Sequence, residues 1–271
     1  MENERVLTSL NFTNQNRMKE KLSLAILGMT FGLLIMSCGS HSKQEVAVES
    51  STKELKPVIE KVRTREEQEK LTPDEILERL KSGNKRFVSN DLTARDHSLL
   101  IRSAIEGQYP STVVVACMDS RVPVEDIFDK GIGDMFVIRL AGNVINEDVL
   151  GSIEYGCKVA GAKLIVVLGH RYCGAVKSAI KDVKAGNMTA LLSKIKPAIE
   201  VSQDFNGLKD YNNEDYVTYV AINHVRQAVK EINDKSNIIA EMVAQGQVKI
   251  VAAGYNLDTG EVLFFDDYKK N

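Results

Sequence analysis

The chain has 271 residues, a net charge of -2 at pH 7 and 44% hydrophobic residues. This length accommodates one globular domain with a sizeable core, plus an additional segment. The near-neutral charge, with no stripe of lysine and arginine interleaved with aromatic residues, argues against a nucleic-acid partner.

The N-terminal segment predicts an export signal rather than part of the fold. An apolar run from Leu22 to Met36 follows a short basic stretch, and it is short for a membrane-spanning helix. Cys38 then follows a small residue, in a loose version of the lipobox at which bacterial lipoproteins are cleaved. We expect residues 1–38 to be a signal peptide and Cys38 to become the lipid-modified first residue. An uncleaved anchor helix is the alternative, and a start at Met18 would give a more usual signal.

Either form would tether the chain to a lipid bilayer on the exported side of a bacterial cell, in the periplasm or at the outer membrane. Residues 39–70 are rich in Ser, Glu, Lys and Gln and predict a tether or docking arm. The globular domain is expected to span 71–271. It opens with a helix for which Thr72 is the N-cap, Pro73 lies in the first turn and Glu75 completes a capping box.

Beyond this helix, apolar β-branched runs alternate with helical patterns. Nearly continuous runs, typical of strands covered on both faces, lie at 111–117, 135–141, 163–170 and 248–255. Residues 262–267 follow the turn signal LDTG and predict an antiparallel edge strand. Helices are predicted at 147–161, 173–185, 188–204 and 217–245. The alternation predicts an α/β fold: a mostly parallel sheet of about four strands, the antiparallel edge strand, and helices on both faces.

Two predicted strands end in soft metal ligands. Cys117 ends the first, and His170 ends the third, with Cys173 three residues further on. Because ligands bind beyond the carboxyl ends of parallel strands, these side chains converge if the two strands are neighbours. Two thiolates and an imidazole favour zinc, and three ligands leave a fourth position for water, as in catalytic zinc sites. A fourth cysteine, Cys157, lies in a predicted helix and is better explained by core packing.

Two charged residues follow the first ligand at alternate positions in the segment CMDSR. A carboxylate at Asp119 could accept a hydrogen bond from hydroxide on the zinc, whose bound water has a pKa near 7 in favourable sites. The guanidinium of Arg121 would hold that carboxylate ionised and fixed.

CMDSR and, some fifty residues later, GHRYCGA resemble the β class of carbonic anhydrases. The resemblance runs from about Leu71 to Phe265. It implies that family's fold and one zinc ion per chain on the three ligands named above. It also implies that the Asp–Arg dyad serves the metal-bound water. The implied reaction is the reversible hydration of carbon dioxide to bicarbonate and a proton, by attack of zinc-bound hydroxide.

The resemblance also implies a substrate pocket. Gln108 matches a glutamine that donates to a substrate oxygen. Phe136 and Tyr155 match aromatic residues that line an apolar pocket, and the backbone N–H of Gly174 is expected to face the substrate.

Family members assemble as homodimers or larger oligomers, so a homodimer or tetramer is expected, with the segment around 55–90 packing across the neighbour. In some members the dyad aspartate closes on the metal, and one such subset carries Trp three residues before the first ligand. Val114 stands there in this chain, which favours an open site. No residue is identified as a proton shuttle, because His97 and His224 are expected to be surface or packing residues.

Three alternatives remain. Relatives of this family hydrolyse carbon disulfide or carbonyl sulfide through the same ligands. A non-catalytic zinc- or anion-binding lipoprotein would be expected to lack the dyad or Gln108. In a disulfide protein, the three cysteines that remain once Cys38 is lipidated would form at most one bond and leave an odd thiol.

Overall fold

The structure, a computed structural model, describes residues 62–265 of the chain. The predicted signal peptide, its Cys38 and the arm as far as residue 61 lie outside the described residues. The α-helices in the described range are α1 (Arg65–Glu69), α2 (Pro73–Val88), α3 (His97–Ser103), α4 (Val124–Ile127), α5 (Glu147–Glu154), α6 (Gly174–Ile180), α7 (Met188–Ser193), α8 (Lys196–Glu200), α9 (Glu214–Lys235) and α10 (Asn237–Ala244). None of these helices is long and apolar enough to cross a lipid bilayer.

Five strands within residues 62–265 form one sheet, which confirms the predicted fold class. They are β1 (Thr112–Cys117), β2 (Met135–Leu140), β3 (Leu164–His170), β4 (Lys249–Tyr255) and β5 (Val262–Phe265). Their order is β2-β1-β3-β4-β5. The pairs among the first four strands are parallel, whereas β5 runs antiparallel to β4. The sheet thus places β1 directly beside β3, as the convergence of the predicted ligands requires.

Both faces of the sheet are covered, which explains why the strands are apolar at successive positions rather than at alternate ones. In β1, Val113 and Val115 point to a core layer that includes side chains of α5, α9 and α10. Val114 and Ala116 point to the opposite layer, which is covered by α2 and α4. A third cluster, formed with side chains of α6 to α9, surrounds the carboxyl end of β1.

The helices differ from prediction mainly at their boundaries. The capping box at the start of α2 is present as predicted. The prediction of one helix at 188–204 and one at 217–245 is wrong, because each range contains two helices: α7 and α8 in the first, α9 and α10 in the second. Ser236 ends α9 in an extended backbone conformation, and its hydroxyl caps α10 by accepting the N–H of Ile239. The helix predicted at 147–161 continues beyond α5 only as a π-helical turn, Tyr155–Val159.

The predicted arm ends earlier than expected, because its last residues pack onto the domain. Thr64 caps α1 in a capping box that the sequence reading missed. Gln68 on α1 is buried and donates hydrogen bonds to the carbonyls of Pro110 and Ala160, at 2.7 and 2.8 Å. The boundary predicted at residue 71 is therefore corrected: the segment from Thr64 onward belongs to the folded domain.

Candidate active site

The three predicted ligands meet at the carboxyl edge of the sheet. Cys117 ends β1, His170 ends β3, and Cys173 immediately precedes α6. All three are buried, and their ligand atoms lie within 4.8 Å of one another. The convergence expected from neighbouring strands is therefore observed.

The ring of His170 is oriented by its own backbone segment. Its Nδ1 lies 2.8 Å from the carbonyl oxygen of Arg171, so Nδ1 is assigned as the N–H donor. The other ring nitrogen, Nε2, is buried and has no hydrogen-bond partner among the described residues. A buried nitrogen lone pair beside two sulfur atoms fits a soft divalent metal, which would satisfy that lone pair.

The two sulfur atoms differ in their surroundings. A hydrogen bond from the Cys173 thiol lowers the pKa of Cys117 to about 4, and the backbone N–H of Gly142 also donates to Cys117 Sγ at 3.3 Å. The same contact between the thiols, together with burial, raises the pKa of Cys173. A lowered pKa at Cys117 and a raised pKa at Cys173 are expected when the two sulfur atoms share one proton. A cation bound to both sulfurs displaces such a proton.

Beside this group, Asp119 is held by the guanidinium of Arg121. Arg121 Nε donates to Oδ1 at 2.9 Å and Nη2 donates to Oδ2 at 2.7 Å, which is the bidentate geometry expected of the dyad. The backbone N–H of Arg121 donates to the same Oδ1 at 3.0 Å. These hydrogen bonds hold the pKa of the Asp119 carboxyl well below its usual range.

The remaining predicted pocket residues divide between the two ends of the sheet. Gly174 begins α6 next to Cys173, is exposed and has open space beside its Cα, so the residue lies next to the ligand group. Gln108 is exposed and precedes β1, at the opposite end of that strand from Cys117.

Phe136 and Tyr155 do not join the ligand group within one chain. They line a groove of about 530 Å³ between β2 and α5. In the sheet register Phe136 pairs with Val113, four residues before Cys117. Four residues of strand correspond to about 13 Å. The two aromatic residues predicted for the substrate pocket are therefore remote from the ligands of their own chain.

Sequence reasoning missed residues that hold the ligand segments in place. Arg139 on β2 donates from Nε to the carbonyl of Cys117 at 3.1 Å and from Nη2 to the carbonyl of Asp119 at 2.6 Å. A charged residue inside an otherwise apolar strand was the available signal. Asp258, in the turn between β4 and β5, contacts the segment between His170 and Cys173 and was identified only as part of a turn.

Two other titratable residues are packing residues, as expected. Cys157 is buried, and burial raises the pKa of its thiol to about 12. His224 is buried on α9, with Nε2 at 2.7 Å from the carbonyl oxygen of Gly142, and burial lowers its pKa. Cys117, Cys157 and Cys173, the cysteines among the described residues, are free thiols, and the disulfide alternative is not favoured.

Comparisons with known proteins show the family of the chain. Residues 112–262 match the family model for carbonic anhydrase. Carbonic anhydrase 2 of Mycobacterium tuberculosis is 37% identical over 193 residues, which are 69% of this chain and 90% of that protein. The carbonic anhydrase of Mycolicibacterium smegmatis is 38% identical over 189 residues, 68% of this chain and 88% of that protein. The solved β-carbonic anhydrase CcaA matches with a TM-score of 0.57 and 25% identity, over 70% of this chain and 88% of that chain.

The fold and the relatives identify the protein as a lyase, an enzyme that adds water to a small unsaturated substrate. The chain belongs to the carbonic anhydrase family, in its β class. It therefore catalyses the reversible hydration of carbon dioxide to bicarbonate and a proton, and the alternative substrates are not favoured.

Proposed function

We propose that this hydration depends on one zinc ion per chain, bound by the sulfur atoms of Cys117 and Cys173 and by Nε2 of His170. The observation that carries the proposal is the buried ligand group, within 4.8 Å, whose ring nitrogen has no other partner among the described residues. Two thiolates and an imidazole are donors that zinc prefers, and three protein ligands are typical of a catalytic site. Bound zinc lowers the pKa of a water to about 7 and so supplies hydroxide at neutral pH.

The chain's own residues orient the reactants. Asp119 accepts a hydrogen bond from the attacking hydroxyl and directs its lone pair toward the carbon of carbon dioxide. Arg121 keeps this carboxylate ionised and fixed. The N–H of Gly174 is assigned to a substrate oxygen. Because Gln108 lies at the opposite end of β1 from Cys117, its side-chain amide is assigned to a substrate oxygen in the site of a second copy. One C–O bond forms, bicarbonate leaves, and the proton from the consumed water passes to buffer.

The test is stopped-flow carbon dioxide hydration by the full chain, with metal analysis of the same samples, between about pH 6.5 and 9. We expect one zinc per chain and activity at neutral pH. Cys173→Ala should lose both, whereas the matched core variant Cys157→Ala should keep both. An active wild type without zinc, or a fully active Cys173→Ala, would contradict the proposal. Activity confined to alkaline pH would instead indicate that Asp119 closes on the metal.

We further propose that the enzyme is a homodimer or tetramer in which Phe136 and Tyr155 complete the site of a second copy. Tyr155 is 57% exposed and Val159, one turn on, is 67% exposed. Such a paired apolar surface beside an open sheet edge is typical of an interface. A solved pair of β-carbonic anhydrases from Sordaria macrospora, which shares the fold at 22% identity and a TM-score of 0.57, is tetrameric.

Subunit complementation tests this arrangement. Cys173→Ala removes a ligand and leaves the aromatic residues intact. The double variant Phe136→Ala, Tyr155→Ala removes the aromatic residues and leaves the ligands intact. If each site combines two copies, unfolding and co-refolding the two variants restores about a quarter of the sites by random pairing of dimers. Activity that never rises above the sum of the separate variants would show that both sets act within one chain.

We also propose that Cys38 carries a lipid and anchors the enzyme in the bacterial cell envelope. The support is the apolar run before Cys38 and the arm that follows it. Metabolic labelling with a fatty-acid analogue should mark the wild type and Cys157→Ala but not Cys38→Ala. Equal labelling of Cys38→Ala would overturn the anchor.

A further inference from the structure

The loop between the second and third ligands contains two residues and a strained backbone. Tyr172 has a φ of +59°, in the left-handed region that non-glycine residues adopt at a cost of about 1–2 kcal/mol. Such conformations persist only where surrounding contacts hold them. The loop from His170 to Cys173 therefore needs an external support.

Asp258, from the turn between β4 and β5, supplies that support. Its carboxylate accepts a hydrogen bond from Arg171 Nη1 at 2.5 Å and from the Tyr172 hydroxyl at 3.0 and 3.1 Å. The guanidinium of Arg171 also lies over the ring of Tyr172, 4.9 Å from its centroid. The Asp258 N–H donates in turn to Oδ1 of Asn256, which is fully buried, so the carboxylate sits on a fixed turn.

The supported loop orients two parts of the active site through its carbonyl groups. The carbonyl of Arg171 accepts the Nδ1 hydrogen of His170, which leaves Nε2 facing the sulfur atoms. The carbonyl of Tyr172 accepts a hydrogen bond from Arg121 Nη2 at 3.3 Å, and the same guanidinium holds Asp119. A shift of the loop would therefore move both a ligand and the dyad.

We propose that Asp258 is a positioning residue for the metal centre, which fixes the loop between His170 and Cys173 in the conformation that binds the ion. This inference rests on the proposed zinc ligation. Asp258 itself touches neither the ligand atoms nor the substrate, and it acts through the side chains of Arg171 and Tyr172.

This ion pair differs from an ordinary surface pair. Arg171 is 7% exposed, and its Nε has no hydrogen-bond partner among the described residues. Exposed pairs contribute little, but removing one member of a buried pair leaves a charge without compensation. Loss of partners that orient metal ligands commonly costs about 10- to 100-fold in metal affinity. We expect Asp258→Ala to release zinc about tenfold faster or more.

The test measures zinc release to a chelator and the absorption spectrum of the cobalt(II)-substituted full chain. Asp258→Ala should speed release and shift the ligand-field and thiolate-to-cobalt bands. Tyr172→Phe, which removes one hydroxyl, should change both in the same direction by less. Asp258→Asn keeps an acceptor oxygen but removes the charge that compensates Arg171, so its effect should lie between those of the wild type and Asp258→Ala. The matched control is Tyr219→Phe, since the Tyr219 hydroxyl donates to Asp204 at 3.0 Å in the same manner.

Wild-type metal content separates the two ideas. A wild type that binds no zinc overturns the proposed ligation, and the positioning role with it. A wild type that binds zinc, with release rates and cobalt spectra unchanged in Asp258→Ala and Tyr172→Phe, overturns the positioning role alone. If Asp258→Ala does not fold, zinc release and cobalt spectra of Tyr172→Phe are compared with those of Tyr219→Phe. No difference between these two variants overturns the positioning role.

Discussion

The carboxylate of Asp119 lies beside the ligand ring of His170, with Oδ2 at 3.9 Å from Nε2. Because Arg121 binds both carboxylate oxygens, Asp119 is directed toward the guanidinium and is not one of the three clustered ligand residues. The carboxylate thus lies beside the position in which a metal held by the ring nitrogen would bind water. This is the position required of a group that orients the attacking water.

Asp119→Asn should therefore lower kcat/KM for carbon dioxide hydration by about 10²- to 10⁴-fold while zinc content stays at one per chain. The substitution replaces one of the two acceptor oxygens with an NH₂ group, so the side chain cannot accept hydrogen bonds from both Arg121 and the water as the carboxylate does. Arg121→Lys should give an intermediate loss, since an ammonium cannot reproduce the planar fork. Stopped-flow rates and metal analysis on the same samples check both, and near-wild-type rates for Asp119→Asn would remove it from the mechanism.

Removal of zinc should expose two thiols and leave a third unreactive. Alkylation of the chelated enzyme, followed by peptide mass analysis, should modify Cys117 first and Cys173 more slowly, because contact with Cys117 and burial raise the pKa of Cys173, and should spare Cys157. Cys157 is buried in the core, and its pKa of about 12 leaves almost no thiolate at neutral pH. In the zinc-loaded enzyme both ligands should be protected. Equal modification of all three thiols before unfolding would contradict the assignment of ligand and core cysteines.

A buried carboxylate away from the active site should control acid stability. The side chain of Asp129 is fully buried and accepts hydrogen bonds from Arg86, Thr93 and Arg95. Burial raises its pKa, but these hydrogen bonds outweigh burial and lower it to about 2. The backbone of Asp129 is left-handed, with a φ of +48°, and Asn also tolerates this conformation. We expect Asp129→Asn to lose about 2–4 kcal/mol at neutral pH, since Arg86 is partly exposed and contributes less than a buried partner.

The sign of the pH dependence follows from the lowered pKa of Asp129. An unfolded aspartate has a pKa of about 3.9, so the stabilisation is complete above about pH 5 and is lost as the pH falls toward 2. Urea unfolding at several pH values should show the wild type and Asp129→Asn converging in acid. Asp126→Asn, an exposed neighbour, is the control and should differ little from wild type. A constant gap down to pH 2 would exclude this carboxylate as the cause.

The ligand group could be predicted because its geometry follows from strand order alone. Cys117 and His170 end neighbouring parallel strands, so their meeting at one edge requires no knowledge of side-chain packing. The support from Asp258 could not be predicted. It contacts Arg171 across 87 positions of sequence, and a turn pattern such as LDTG specifies backbone conformation but not what its carboxylate binds.

The helix boundaries and the pocket aromatics illustrate two other limits. Ser236 interrupts a helical pattern that is apolar on both sides, and capping there depends on the extended backbone that tertiary packing selects. The pocket role of Phe136 and Tyr155 was predicted from the family resemblance. That resemblance identifies which residues line the pocket but not which subunit supplies them. Their distance from Cys117 within one chain became apparent only from the strand register.

Gly83→Ala should destabilise the fold, although the same change in an exposed helix gains about 0.5–1 kcal/mol. Gly83 lies on α2 where the helix crosses the end of α4, and an added Cβ would lie 1.9 Å from the carbonyl oxygen of Phe128. Because backbone atoms form this contact, no side-chain rotation relieves it, and the helices must separate. We expect a loss of about 2 kcal/mol or more from overpacking. The control is Ser82→Ala at the exposed neighbouring position, which should stay within about 0.5 kcal/mol of wild type. Equal urea midpoints for the two variants would show that α2 and α4 do not pack this closely in solution.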